Sequence, residues 1–378
     1  MTQQWIPAVF MRGGTSNGVF FRDEVLPPPG AARDAVFLSV LGSPDPYGRQ
    51  LDGMGGGVSS LSKVVAVRRS DRVEADIEYT FGQVAVDQPV VDYSANCGNL
   101  SSAVGPFAVD EGLLGDAPDG PLTVRIFNTN TATVLQADFE VRDGRAAVSG
   151  DLAIPGVAGT GAPIRLRYLE PGGAKTGAVL PTGDPTTDVD MATGRHVISC
   201  VDVSAATVFV AAADLGLKGT ESPADLGADA TLLACLEELR RAGAVAMGLA
   251  AHTGEVAAAG PKIAMVAPPA DYTTISGARI DADTFGVAVR MISMGQPHGA
   301  IPGTGALCVA AATRIPGTIP HRLTRAGAGP ATAIATPSGV LTVEADVTVT
   351  DGAPRVASAS LYRTARALMR GSVAVALR

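Results

Sequence analysis

The stretch Tyr93–Val109, YSANCGNLSSAVGPFAV, decides how the fold is read. Leu100, Ala103, Val104, Phe107 and Ala108 recur at i, i+3, i+4, i+7 and i+8, which is one apolar face at the helical period. The spacing predicts a helix with Asn99 as its N-cap, because the Asn side-chain oxygen can accept from a free N–H of the first turn. Cys97 then lies just outside a helix N-terminus, where unpaired N–H groups and the positive end of the dipole favour a thiolate. Pro106 works against the pattern, since it removes one intrahelical bond and should kink the helix.

A second stretch has the same layout. In Pro302–Thr313, PGTGALCVAAAT, a Gly-rich turn leads into a segment with almost no polar face, and a helix of that kind is buried. Strand-like segments surround both helices. GVFF (Gly18–Phe21), SKVVAV (Ser62–Val67), LTVRIF (Leu122–Phe127), TVFVAA (Thr207–Ala212), KIAMVA (Lys262–Ala267) and GVLTVEADVTVT (Gly339–Thr350) are rich in β-branched residues or alternate. The expected class is α+β. Two β-rich halves each wrap one central helix, a degenerate internal duplication. Two buried helix N-termini aimed at one interdomain cleft would hold a carboxylate through main-chain N–H groups, without any basic side chain.

Composition narrows the function. The chain has 378 residues, 46% hydrophobic and 17% charged, so a large core is available. A net charge of −8 argues against a nucleic-acid partner, which selects a basic surface. The four cysteines, Cys97, Cys200, Cys235 and Cys308, form no CxxC pair and no disulfide framework. The N-terminus MTQQWIPAVF lacks the basic and apolar regions of a signal peptide, and no apolar run is long enough to span a membrane. A cytoplasmic protein is expected. The three histidines other than His298 show no metal-ligand spacing with Cys or Asp. RGGTSNG (Arg12–Gly18) lacks both the Lys-Ser/Thr ending of a P-loop and the spacing of a dinucleotide fingerprint, and reads as a tight turn that feeds Ser16 toward a cleft.

Six segments together resemble the PrpF family of isomerases of unsaturated polycarboxylates. They are MRGGTSNGVFF (Met11–Phe21), GSPDPYGRQLDGMGGGVSSLSKV (Gly42–Val64), NCGNLSSAVGPFAVDEGL (Asn96–Leu113), PKIAMVAPP (Pro261–Pro269), VRMISMGQPHGAIPGTGALC (Val289–Cys308) and YRTARALMRGSVAV (Tyr362–Val375). They span nearly the whole chain. The resemblance implies a diaminopimelate-epimerase-like fold of two pseudo-symmetric domains, each a β-barrel around a central helix, with the active site between them. On this reading the N-terminal domain covers 1–187, with the segment 366–378 packing back onto it, and the C-terminal domain covers 188–365. No metal or organic cofactor is implied, and a homodimer is compatible with it.

The resemblance also implies a catalytic pair, Lys63 in SSLSKV and Cys97 in ANCGN. Epimerase relatives carry a second thiol before the other helix, where this chain has Pro302. The chain departs from the family at Asn17, where Lys or Arg is frequent, and at Ala205-Ala206, where Asn-Pro is common. Both departures bear on the substrate more than on the reaction type.

Moving a double bond by one carbon requires a base of suitable pKa and a water-poor cradle for a dienolate. Burial can lower a lysine from its ordinary value of about 10.4 into a useful range. Lys63 is the expected base and Cys97 its partner. The cradle is expected from the main chain of Gly98, Asn99, Gly303, Thr304 and Gly305, the side chains of Thr15, Ser16, Asn17, Ser60 and Asn96, and the cations Arg290 or His298, with Arg12 as a third. Cys200, Cys235 and Cys308 are assigned to packing. The expected function is 1,3-allylic proton transfer or cis/trans isomerisation of a small di- or tricarboxylate of the 2-methylaconitate, aconitate or 4-oxalomesaconate type. Two alternatives stand beside it. A cysteine-dependent racemase needs a second thiol, and a polycarboxylate-binding accessory protein of an aconitase-like enzyme would tolerate Lys63→Ala.

Overall fold

The computed structural model describes residues 3–376 apart from 95, 192–193, 258–259, 294, 326 and 328. The chain divides into two compact units, Met1–Arg167 with Tyr362–Arg378, and Tyr168–Leu361. The sequence reading set the divisions at 187/188 and 365/366; they fall earlier. The reason for the first is Asp202, whose Oδ2 accepts from the amides of Lys175 and Thr176 at 2.8 Å each, tying the Gly- and Pro-rich stretch before 187 into the second unit.

The first unit contains β1 (Gln4–Gly13), β2 (Ser16–Arg22), α1 (Ala31–Leu41), β3 (Lys63–Arg69), β4 (Ile77–Val84), β5 (Val91–Asp92), α2 (Gly98–Asp110), β6 (Gly120–Asn128), β7 (Thr133–Arg142), β8 (Arg145–Ala146) and most of β9 (Ile164–Leu169). Strand β1 pairs antiparallel with β2, β2 parallel with β3, and β3 antiparallel with β4. Then β4 runs antiparallel to β5 and parallel to β6, and β6 antiparallel to β7. Alternation along β3 separates two layers. Val64 and Ala66 pack with Val36, Phe37, Val40 and Leu41 of α1, so Lys63 and Val65 face the other way, toward α2.

Helix α2 is the centre of this unit and touches β1, β2, β3, β6, β7 and β8. Every residue from Leu100 to Val109 is buried. Pro106 sits inside it without ending it. An interior proline costs about 3 kcal/mol, and each fully buried Leu, Val or Phe contributes about 1.5–3 kcal/mol, so tertiary burial outweighs the lost bond. The helix also starts earlier than its pattern predicted. Its N-cap is Cys97, and Asn99 lies in the first turn.

The second unit repeats this topology. It holds β10 (Thr187–Met191), β11 (Gly194–Val203), β12 (Ala205–Ala211), α3 (Pro223–Ala228), α4 (Ala230–Ala246), β13 (Lys262–Ala267), β14 (Tyr272–Thr273) and β15 (Arg279–Ile280). These are followed by β16 (Val287–Ser293), β17 (Gln296–Pro297), α5 (Gly303–Ala312), α6 (Ile319–Leu323), β18 (Ala331–Thr336), β19 (Gly339–Thr350) and most of β20 (Ala353–Arg363). The last strand, β21 (Ala365–Val375), returns to the first unit and pairs antiparallel with β1. Here β11–β12 is antiparallel, β12–β13 parallel and β13–β16 antiparallel. Likewise β16–β17 is antiparallel, β16–β18 parallel and β18–β19 antiparallel. Each pairing answers one of the first unit. Helix α5, buried from Gly305 to Ala312, touches β11, β12, β18 and β19. Among the described residues no helix is long and apolar enough to cross a membrane.

Candidate active site

Lys63 is the first residue of β3 and stands directly opposite Gln83 on β4. Directly opposed residues of an antiparallel pair share a face with their Cβ atoms about 5 Å apart. The Lys63 Nζ donates to Gln83 Oε1 at 2.5 Å and lies 5.1 Å from the centre of the Phe81 ring. The Gln83 amide has one orientation that satisfies it. Its Nε2 donates to the carbonyls of Ser62 at 2.8 Å and Ser59 at 3.1 Å, which leaves Oε1 toward the lysine. Lys63 is only 8% exposed. Burial pulls its pKa below the ordinary lysine value, and the nearby Cys97 sulfur, when charged, opposes that shift. The two groups are therefore within electrostatic reach of each other.

Cys97 is half-buried and unpaired to any other cysteine. Its thiol lies 3.9 Å from the Ser16 hydroxyl, and its carbonyl accepts from the Ser101 amide and hydroxyl, each at 2.9 Å. The residue before it is fixed from below. Tyr79, 1% exposed, donates its hydroxyl to Asn96 Oδ1 at 2.8 Å, lies 2.7 Å from Ser101 Oγ, and accepts from Asn128 Nδ2 at 2.7 Å. A satisfied buried network of this kind holds one geometry. Asn96 is thus a support for the turn that carries the cysteine.

The turn between β1 and β2 closes over the start of α2. Gly14 has φ +52°, and a Cβ there would stand 2.2 Å from Asn99 Oδ1; at Gly13 it would stand 2.6 Å from Asn99 O. Only glycines permit this approach. It brings the exposed Thr15 against Asn99, whose Nδ2 donates to Thr15 Oγ1 at 3.0 Å, while Arg363 Nε donates to Asn99 Oδ1 at 3.1 Å. Asn99 is a clamp between two turns, because its side chain is taken up there and does not cap the helix. Ser16 is buried beside Cys97, and Asn17 is half-buried opposite Arg12 on β1. Ser60 lies in the single helical turn just ahead of Lys63. Arg12 is taken up structurally, donating to the carbonyls of Gly14 at 2.9 Å and Thr364 at 2.8 Å.

Within the second unit, Arg290 does not match its expected role as a substrate cation. It is 1% exposed, donates to the carbonyls of Glu221 at 2.7 Å and Val289 at 3.0 Å, and lies 5.3 Å from the Tyr272 ring centre. An arginine so enclosed ties strands together. His298 is half-buried, and its Nδ1 accepts from the Ala300 amide at 3.0 Å. The neutral imidazole therefore carries its proton on Nε2. Gly303 and Thr304 open α5, Gly305 follows, and the N-cap is Pro302, the place that Cys97 holds on α2. Gly305 lies where a Cβ would meet Met291 Sδ at 2.7 Å. Among the described residues no group of three His, Cys, Asp or Glu is arranged to hold a metal ion.

Sequence reasoning missed Gln83, Tyr79 and Arg363. Gln83 and Tyr79 lie on β4 among other polar residues, Glu78 and Thr80, and only the ladder shows what each faces.

The chain is 40% identical to the 2-methyl-aconitate isomerase of Shewanella oneidensis, over 98% of this chain and 96% of that protein. It is 42% identical to the 3-methylitaconate isomerase of Eubacterium barkeri, over 99% and 98% respectively. The crystal structure of methylitaconate-delta-isomerase superposes with a TM-score of 0.91 at 41% identity, covering 99% of this chain and 96% of that one. A probable proline racemase from Agrobacterium radiobacter, at 14% identity, covers 99% of this chain and 93% of that one with a TM-score of 0.51, and shares the fold alone. The family model described as PrpF protein matches residues 3–376, and the chain belongs to that family.

Proposed function

We propose that the protein is an isomerase that moves the C=C bond of a small unsaturated polycarboxylate by 1,3-allylic proton transfer, with Lys63 and Cys97 as the exchanging groups. The relatives named for 2-methylaconitate and 3-methylitaconate support this substrate class. One observation carries the reading: a desolvated lysine amine, aimed by Gln83, lies within electrostatic reach of a cysteine at a helix N-cap.

The step balances without a redox partner. The neutral Lys63 amine takes a proton from the allylic carbon. The released C–H electron pair forms a new C=C bond, and the original π pair moves toward the conjugated carboxyl group, giving a dienolate. Cys97 then donates its proton to the far carbon of the three-carbon unit, and the dienolate pair becomes the new C–H bond. Burial favours this in two ways. It lowers the cost of an unprotonated lysine, and it strengthens hydrogen bonds to the dienolate oxygens in a water-poor site. The hydroxyl of Ser16, 3.9 Å from the Cys97 thiol, and the main-chain N–H groups of Gly98 and Asn99, which follow Cys97 at the start of α2, are the proposed donors.

The test is incubation in D₂O with 2-methylaconitate, aconitate, 3-methylitaconate and 4-oxalomesaconate, followed by NMR. Deuterium entering the allylic position, with a change in isomer ratio for at least one acid, supports the reading. Folded protein that exchanges none of them, or Lys63→Ala protein that exchanges as fast as wild type, overturns it.

A further inference from the structure

The loop from Gly42 to Leu61 leads from α1 to Lys63, and its residues are exposed or half-buried with one exception. Gln50 is 1% exposed. A buried polar side chain in a loop otherwise open to solvent is the informative case. Its backbone is left-handed, with φ +53°, a region that a residue with a Cβ seldom occupies. The Asp45 carboxylate sets that turn, accepting from the amides of Tyr47 at 2.9 Å, Arg49 at 3.0 Å and Gln50 at 2.6 Å. At Gly55 a Cβ would stand 2.2 Å from Gln50 Oε1, so the loop closes around the side-chain amide only with glycine there.

Every polar atom of that side chain is used. The Gly57 N–H, which can only donate, meets Gln50 Oε1 at 3.0 Å. That leaves Nε2 to donate to Ser43 Oγ at 2.8 Å and to Ser62 Oγ at 2.7 Å. Ser62 is fully buried and precedes Lys63. Its hydroxyl donates to the Val84 carbonyl at 2.9 Å, and its carbonyl accepts from the Val84 amide at 3.1 Å. The same carbonyl accepts from Gln83 Nε2, the contact that turns Gln83 Oε1 toward the Lys63 amine. One directed path therefore runs from Gln50 through Ser62 and Gln83 to Lys63, and every link lies within the first unit. An anchor for the loop alone needs no bond to the residue that orients the acceptor of the lysine, since a buried apolar side chain of the same shape would hold it nearly as well.

We propose that Gln50 is a positioning residue for Lys63. Its own side chain does not meet substrate, because it is enclosed and its polar atoms are all paired. It fixes Ser62, Ser62 fixes Gln83, and Gln83 aims the amine. The inference rests on the reading of Lys63 as the base, and adds that the loop ahead of β3 sets the direction of that base.

Gln50→Met keeps the length of the side chain and removes its hydrogen bonds. Ser62→Ala cuts the same path at a single hydroxyl and covers a Gln50→Met protein that fails to fold. A loosened Gln83 is a weaker acceptor, and an acceptor on Nζ favours the charged lysine, so loosening lowers the titration midpoint of Lys63. In each variant kcat is expected to fall about tenfold, with KM within about twofold of wild type. The acidic limb of the pH–rate profile is expected to move down by about 0.5 unit. Gln83→Leu supplies the decisive comparison. In that background Gln50→Met is expected to cost less than about a further twofold, because contacts in one network are not additive. A second readout needs no turnover. The lysines are Lys63, Lys175, Lys218 and Lys262, so NMR of protein carrying ¹³C at lysine Cε follows each through a pH titration, and Lys63→Arg assigns the signal. The Lys63 midpoint is expected to fall in Gln50→Met and in Ser62→Ala. A midpoint that keeps its wild-type value in both overturns the proposal. So does a cycle in which the losses from Gln50→Met and Gln83→Leu multiply. If the midpoint falls as expected and no unsaturated acid exchanges deuterium, the isomerase reading falls and the positioning role of Gln50 stands.

Discussion

Lys63 and Gln83 face each other across neighbouring antiparallel strands, and the lysine ammonium donates to the Gln83 carbonyl oxygen at 2.5 Å. Gln83 is itself locked by two backbone carbonyls, so the contact fixes where the amine can point. An acceptor on Nζ also favours the charged lysine over the neutral one. Gln83→Leu removes both effects. The acidic limb of the pH–rate profile, set by the fraction of neutral Lys63, should move down by about 1 unit. The rate at the plateau should nevertheless fall about tenfold, because the base is no longer aimed. The pH dependence of kcat/KM checks this, and a limb that stays in place while the rate falls separates general damage from loss of the contact.

The four thiols should differ sharply toward iodoacetamide. Cys200 and Cys308 are buried, and desolvation pushes each pKa up to about 12. Cys235 is half-buried and also raised, first by burial and then by Glu238. Only thiolates alkylate at a useful rate. Cys97, half-buried at a helix N-cap, should be labelled at least about a hundredfold faster than Cys200 or Cys308 near neutral pH. Tricarballylate, a saturated tricarboxylate that cannot be isomerised, should slow it. Peptide mapping by mass spectrometry gives the order, and early modification of Cys235 would contradict it.

How far the sequence carried the reading depends on what each residue touches. The helices α2 and α5 were legible because an apolar run behind a Gly-rich turn has few other uses. Lys63 and Cys97 were legible from motifs. The N-cap was not, because Asn99 has the right side chain for capping but is drawn away by Thr15 and Arg363, and Arg363 is far along the chain. Arg290 was misread because β16 is buried on both faces from Val287 to Ile292, so alternation does not say what a charged residue meets. Gln50 stood in plain view in GSPDPYGRQLDGMGGGVSSLSKV. Its tie to Lys63 runs through Ser62 and Gln83, and no local pattern shows which hydrogen bonds a loop side chain makes.

The glycines of the β1–β2 turn can be separated from glycines in open space. Gly13→Ala places a Cβ 2.6 Å from Asn99 O and 3.0 Å from Leu100 Cα, both backbone atoms of α2. Neither can yield without moving the helix that starts at Cys97. The substitution should destabilise by about 1–3 kcal/mol and reduce turnover by shifting the cysteine. Gly254→Ala is the control, since nothing lies within 4 Å of its added carbon and its φ is not in the left-handed region. It should stay within about 0.5 kcal/mol of wild type. Chemical denaturation of both variants makes the comparison.

Lys63 should cost stability at neutral pH. Burial lowers its pKa in the folded state, while in the unfolded chain it stays near 10.4. Between those two values the unfolded chain binds more protons, so stability rises with pH across that window. The penalty is fully present below the folded pKa and fades as pH rises toward about 10.4. Lys63→Met removes the buried charge and keeps the apolar stem against Phe81. At pH 7 it should gain about 1 kcal/mol, or about 2–4 °C in Tm, in line with replacing buried charge by a hydrophobe of similar size. The gain should shrink at pH 9.5, while proton-exchange activity falls by about 10²- to 10⁴-fold at either pH. Thermal melts of both proteins at the two pH values decide it. A Lys63→Met protein less stable at pH 7, with a gap that widens on raising the pH, would mean that the ammonium is well solvated and that the proposed base is not desolvated.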